Sequence, residues 1–215
     1  RLRAGDDPTP LAEATLELAV QRVVEAVERS DEEPVVLVGH SMGGMVITQA
    51  ADRVPSRIER LVYVTAFRPV DGESLVDLTG LPEGADDGVQ ANIVVEGEPP
   101  VAVLDPAKAV EILYHDVPEE VAAAALARLD PQPLALFTTP VRLREPIAIP
   151  TDYVVCTEDG AIPLPLQELM AQRSPATAVR RSRADYLETG FGVGVFVGGA
   201  GVAVAVAVGV VVAGV

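Results

Sequence analysis

Val35-Val36-Leu37-Val38-Gly39-His40-Ser41-Met42-Gly43-Gly44-Met45 joins a short apolar run to a glycine-rich turn. A continuous run bounded by Pro34 and Gly39 is what a parallel strand buried on both faces requires. Met45 to Val54 then reads as a helix and Leu61-Val62-Tyr63-Val64 as the next buried strand. This β-α-β alternation predicts a mostly parallel sheet with helices on both faces. Upstream, Thr9 is a good N-cap and Pro10 suits a first helical position. Leu16, Ala19, Val20, Val23, Val24 and Val27 recur at helical spacing, so an amphipathic helix is expected to run to about Ser30.

The turn itself carries chemistry. Gly39, Ser41 and Gly43 form a G-x-S-x-G pattern between a strand and a helix, the setting in which a serine is lifted on a strained turn as a nucleophile. Side chains at Gly39 and Gly43 would collide with neighbouring backbone. The N–H of Met42, at the start of the helix, is placed to donate to a developing oxyanion, helped by the helix dipole. A phosphate-binding loop is disfavoured because no Gly-Lys-Ser/Thr follows.

Composition limits what else the chain does. Its 215 residues suit one domain with a sizeable core. The net charge is -16, from 16 basic and 32 acidic residues. Nucleic acid is therefore not an expected partner, since phosphate binding needs a clustered positive field. Cys156 is the single cysteine, which excludes an intrachain disulfide framework and a Cys-rich zinc site. No signal peptide is read in the acidic first thirty residues, and a reducing, cytoplasmic location is expected. No metal or organic cofactor is implied. The two histidines are His40 and His115.

From Asp71 to Pro146 proline and glycine punctuate the sequence, with helix signals at Pro106–Leu113, Pro118–Leu129 and Pro131–Phe137. This stretch, residues 71–146, reads as an inserted helical cap over the ligand edge of the sheet. Tyr153-Val154-Val155-Cys156 returns to the sheet and Pro165–Arg173 reads as the following helix. Arg180 to Tyr186 offers one more strand, although Arg180-Arg181-Ser182-Arg183 is poor strand material. The core is thus expected over residues 1–70 and 147–189. Gly190 to Val215 contains only Gly, Ala, Val and Phe. It exceeds the ~18-residue length of a membrane span, but its Val-Ala alternation and recurrent glycine fit a strand or low-complexity tail better than a transmembrane helix. A frame change, a membrane anchor and a buried strand remain open there.

Several segments together resemble a known family. The stretch 35–45, Ile58-Glu59-Arg60-Leu61-Val62-Tyr63-Val64-Thr65-Ala66-Phe67, Pro69, Asp71-Gly72 and Tyr114-His115-Asp116-Val117-Pro118 are similar to the α/β-hydrolases related to plant methyl-salicylate esterases, hydroxynitrile lyases and bacterial esterases. So are Tyr153 to Asp159, Ala161-Ile162-Pro163, Gln167 and Met170-Ala171. The resemblance implies an α/β-hydrolase fold with a cap, Ser41 as nucleophile and a small-molecule ester as substrate. It places the catalytic acid on Asp159, where a carboxylate just past a strand's carboxyl end faces the ligand crevice, with Glu158 as rival. Cys156 reads as a core thiol.

The catalytic histidine is missing from that pattern. In this fold it follows the acid, yet both histidines precede Asp159. His40 reads as a packed residue of the turn and His115 as a structural residue of the cap. Where the resemblance implies the histidine, Thr189-Gly190 is followed by Phe191. No strand with a His-Gly turn lies within Arg1–Ser30, so the first strands of the sheet are also expected to be missing. The expectation is a carboxylic ester hydrolase for small apolar or aromatic esters, impaired in this chain for want of a base. The alternatives are a non-catalytic small-molecule-binding homologue and a hydroxynitrile lyase-like activity. The latter is disfavoured because the only lysine is Lys108. A Ser at position 41 disfavours dehalogenase or epoxide hydrolase chemistry, which uses Asp there.

Overall fold

The structure, a computed structural model, describes residues 10–30, 34–127, 129–173, 177–182 and 203–208. Its first long helix, α1 (Leu16–Glu28), starts later than expected. Pro10 leads instead into a 3-10 turn at Leu11–Glu13. Thr15 is the N-cap, its hydroxyl oxygen accepting from the N–H of Leu18 at 3.1 Å; Thr9 lies outside the described residues. The apolar stripe Leu16, Ala19, Val20, Val23 and Val27 is buried, and α1 packs on α2 (Gly43–Arg53).

Strand β1 (Val35–Ser41) is longer than its apolar run, because pairing with β2 (Ile58–Ala66) continues past Gly39 to set His40 beside Val64 and Ser41 beside Ala66. With β6 (Thr151–Cys156), β7 (Thr177–Ser182) and β8 (Ala203–Val208) they form a five-stranded parallel sheet in the order β7-β6-β2-β1-β8. Helix α2 packs on β1 and β2, and α8 (Leu164–Ala171) on β6. Leu37, Leu61, Tyr63, Tyr153 and Val155 are fully buried between these layers, which is why the strands read as unbroken apolar runs.

Three expectations change. The poor strand material at Arg180-Arg181 does form a strand, because β7 is an edge and its charges reach solvent; Arg181 pairs with Glu168 at 2.7 Å. Residues 183–186 lie outside the described residues. Within the tail, Ala203–Val208 is a strand lying parallel against β1, so this piece takes the strand reading; the rest of 190–215 is outside the described residues. No helix among the described residues is long and apolar enough to cross a membrane.

The third change concerns the insertion between β2 and β6. It holds the short helices α3 (Leu75–Thr79), α4 (Gly88–Ala91), α5 (Pro106–Leu113), α6 (Glu119–Leu126) and α7 (Leu134–Thr138). It also holds a small antiparallel sheet of β3 (Ile93–Glu96), β4 (Val101–Leu104) and β5 (Gln132–Pro133). The insertion is therefore mixed rather than purely helical. Its two ends meet: the N–H of Gly72 donates to the carbonyl of Val141 at 3.0 Å, and the N–H of Val141 to the carbonyl of Glu73 at 2.9 Å. Gln49 on α2 clamps this neck, donating to the carbonyl of Arg142 and accepting from its N–H, both at 2.7 Å.

Candidate active site

β1 delivers Ser41 to the carboxyl end of the sheet with φ of 51°. Among the described residues the only other non-glycine residue with positive φ is Thr65, at 35°, near the same end of β2. Left-handed backbone at such residues costs of order 1–3 kcal/mol and persists only where the surroundings impose it. Here they do. The N–H of Phe67 donates to the carbonyl of Ser41 at 3.0 Å, and α2 starts immediately after Met42. A Cβ on Gly44 would overlap the carbonyl oxygen of Phe67, and one on Gly39 would crowd Ile47 and the backbone of Gly43. The glycines let the helix sit directly on the chain leaving β2.

Ser41 and Met42 form one wall of a cavity of about 300 Å³, at the small end of the range for small-molecule sites. The opposite walls come from the insertion, including Leu75, Val89, Ile93, Leu113 and Phe137, so most of the lining is hydrocarbon. Asp87, Asp130 and Gln132 are polar exceptions.

Asp159 follows β6 and is not itself on the cavity wall. Its Oδ1 accepts from the N–H groups of Ala161 at 2.7 Å and Ile162 at 3.0 Å, and both of those residues do line the cavity. Its Oδ2 accepts from the hydroxyl of Thr65 and, at 3.4 Å, from Nε2 of Gln167. Gln167 also fixes the loop around the acid: its Nε2 donates to the carbonyls of Cys156 and Ile162 and its Oε1 accepts from the N–H of Cys156. Burial pushes the pKa of Asp159 up to about 6 despite these donors, with a further push from Asp87. Glu158, the rival acid, is exposed on the turn. Cys156 is buried.

A chain of contacts connects acid and serine. Thr65 precedes Ala66, the partner of Ser41 across the strands. The carbonyl of Ala66 accepts from the hydroxyl of Tyr153 at 2.7 Å, and the Tyr153 ring stacks on Tyr63 with centroids 6.1 Å apart. These contacts tie the ends of β2 and β6 together beneath the site. His40 is buried in β1 and His115 is exposed after α5; neither lines the cavity. Thr189-Gly190-Phe191 lies outside the described residues. Lys108 is exposed and paired with Glu111 at 2.7 Å.

Residues 2–186 match the alpha/beta hydrolase family. The chain belongs to that family. It is 34% identical over 160 residues to a carbendazim hydrolyzing esterase of Nocardioides, a match covering 71% of this chain and 63% of the relative. To the putative chloroplastic methylesterase 11 of Arabidopsis thaliana it is 32% identical over 157 residues, covering 69% of this chain and 40% of the relative. The chain thus spans less than two thirds of the length of these curated relatives. Among solved structures, a pyrethroid hydrolase from Sphingobium faniae superposes with a TM-score of 0.74 at 24% identity, over 85% of this chain and 74% of that one. Polyneuridine aldehyde esterase does so with 0.72 at 24% identity, over 86% and 78%. At that identity the likeness establishes the alpha/beta hydrolase fold.

Three residues of the site carried no role in the sequence reading. Thr65 and Gln167 stood only within segments of the resemblance, and a polar residue closing an apolar strand was the available signal for Thr65. Asp87 gave none.

Proposed function

We propose that the chain is a serine hydrolase for small apolar or aromatic carboxylic esters, with Ser41 as nucleophile, Asp159 as acid and the Met42 N–H as an oxyanion donor. The observation that carries this is the strained Ser41 on the wall of an apolar cavity, at the N-terminus of α2. Esterase relatives support ester hydrolysis as the reaction. In the reaction Ser41 Oγ attacks the ester carbonyl, its proton passes to the departing alkoxide, and water then releases the acid and restores the hydroxyl. Residues 71–146 act as the cap that shapes the pocket over a core built from 1–70 and 147–189, with Ala203–Val208 added to its sheet beside β1.

The proton transfer needs an imidazole, and neither histidine of this chain lines the cavity. Loss of that base alone lowers turnover by roughly a millionfold in a comparable triad, so this 215-residue chain is proposed to be an impaired catalyst. Intact-mass spectrometry after exposure to a fluorophosphonate tests both parts. Slow labelling that disappears in Ser41→Ala is expected. Labelling unaffected by that substitution overturns the nucleophile, and rapid stoichiometric labelling overturns the missing base.

A further inference from the structure

Asp87 occupies an unusual place for a carboxylate. It is 5% exposed, lines an otherwise mainly hydrocarbon cavity together with Ser41, and N-caps the four-residue helix α4. Its Oδ1 accepts from the N–H of Gln90 at 2.7 Å, and the backbone of Val89 also contributes. A carboxylate has about four acceptor positions, so these backbone donors leave capacity for a ligand. No Lys, Arg or His among the described residues lines the cavity to neutralise it. Asp130 lies on the same lining.

The position of Asp87 is fixed from outside the insertion. A Cβ on Gly88 would overlap the carbonyl oxygen of Gly160, and one on Gly160 would crowd the carbonyl of Ile112. Backbone thus lies on backbone, and Asp87-Gly88 is held against Asp159-Gly160. Asp87 lines the cavity while Asp159 lies behind Ala161 and Ile162 of its wall, and burying a charge without a partner is unfavourable. A ligand bringing its own positive group or N–H would relieve that cost, while an anionic ligand would increase it.

We propose that Asp87 sets substrate polarity at this site: the cavity selects small aromatic or apolar molecules bearing a nitrogen donor, above all an ammonium group, and rejects carboxylates. The proposal deepens the esterase reading and rests on it for the word substrate, but the selectivity is a binding property and is measured without turnover. A small acidic product would also be expelled by the same field.

Ligand-observed NMR titrations of the full chain with benzylammonium, benzyl alcohol and benzoate test it. Charged hydrogen bonds of this kind are worth about tenfold or more in affinity. Benzylammonium is expected to bind at least about tenfold tighter than benzyl alcohol, and benzoate weaker than both. Asp87→Asn keeps a good N-cap for α4 and is expected to level the three affinities, whereas Asp130→Asn is expected to preserve the order. Benzoate binding wild-type protein as tightly as benzylammonium overturns the proposal without any variant. An order retained in a folded Asp87→Asn protein, or lost in Asp130→Asn instead, overturns the assignment to Asp87. Fluorophosphonate labelling of Ser41 on the same samples reports separately on the esterase reading, so the two failures are distinguishable.

Discussion

The hydroxyl of Thr65 donates to Oδ2 of Asp159, from a backbone that shares with Ser41 the left-handed conformation rare outside glycine. Asp159 is thereby tied to the end of β2, whose next residue, Ala66, pairs with Ser41. Thr65→Val keeps the shape and removes the donor. It is expected to cost about 1.5–3 kcal/mol at pH 8, as for hydrogen bonds to charged groups. The loss should shrink at pH 5, where Asp159 is largely protonated. Thr65→Ser should behave like wild type. Urea denaturation at the two pH values reads all three.

Asp87 and Asp159 both have pKa values pushed up to about 6 by burial. The folded values exceed the unfolded one, so the folded state holds these protons more tightly. Their stabilising effect is complete below about pH 4 and is lost as pH rises through 6. Between pH 5 and pH 8 each carboxylate is expected to remove about 1.4 kcal/mol. The stability of Asp87→Asn relative to wild type should rise by about that amount over the same interval, which chemical denaturation measures.

Gly44 touches the carbonyl of Phe67 too closely for any side chain. Gly44→Ala must lift α2 off the end of β2, a form of overpacking that costs about 1–3 kcal/mol. Calorimetry should show the lower melting temperature, and Ser41 labelling should fall with it because Met42, the proposed oxyanion donor, sits at the same helix start.

Gln167 links the carbonyls of Cys156 and Ile162 to the acid. Gln167→Leu leaves those buried groups without their partner and is expected to cost about 1–3 kcal/mol for each one left unsatisfied. Hydrogen exchange should accelerate at residues 157–162, while β1 stays protected.

The central strands and the serine turn were legible because buried parallel strands are written as continuous apolar runs and because few sequences fit a strand-glycine-helix corner. The place of Asp159 just past the carboxyl end of β6 was legible from the apolar run before it, while its proposed role came from the family resemblance. The small sheet of the insertion was not: β3 has four residues, with Val94 and Val95 more than half exposed, and no alternation of burial marks it. β7 escaped a firm reading because edge strands accept the charges that central strands refuse. Asp87 was invisible for a different reason. Its meaning comes from Gly88 meeting Gly160, a contact between distant segments that no local pattern encodes.

The neck at Gly72, Glu73 and Val141 has a practical consequence. Both crossings of the insertion pass through one hydrogen-bonded pair of segments clamped by Gln49, while the body beyond also rests on the sheet side where Gly88 meets Gly160. Residues 74–140 are thus moored at two places, the collar and the Gly88–Gly160 contact. A chimera that exchanges them for the head of a relative would have to keep both moorings, a glycine facing Gly160 included, to leave the loop that carries Asp159 in place.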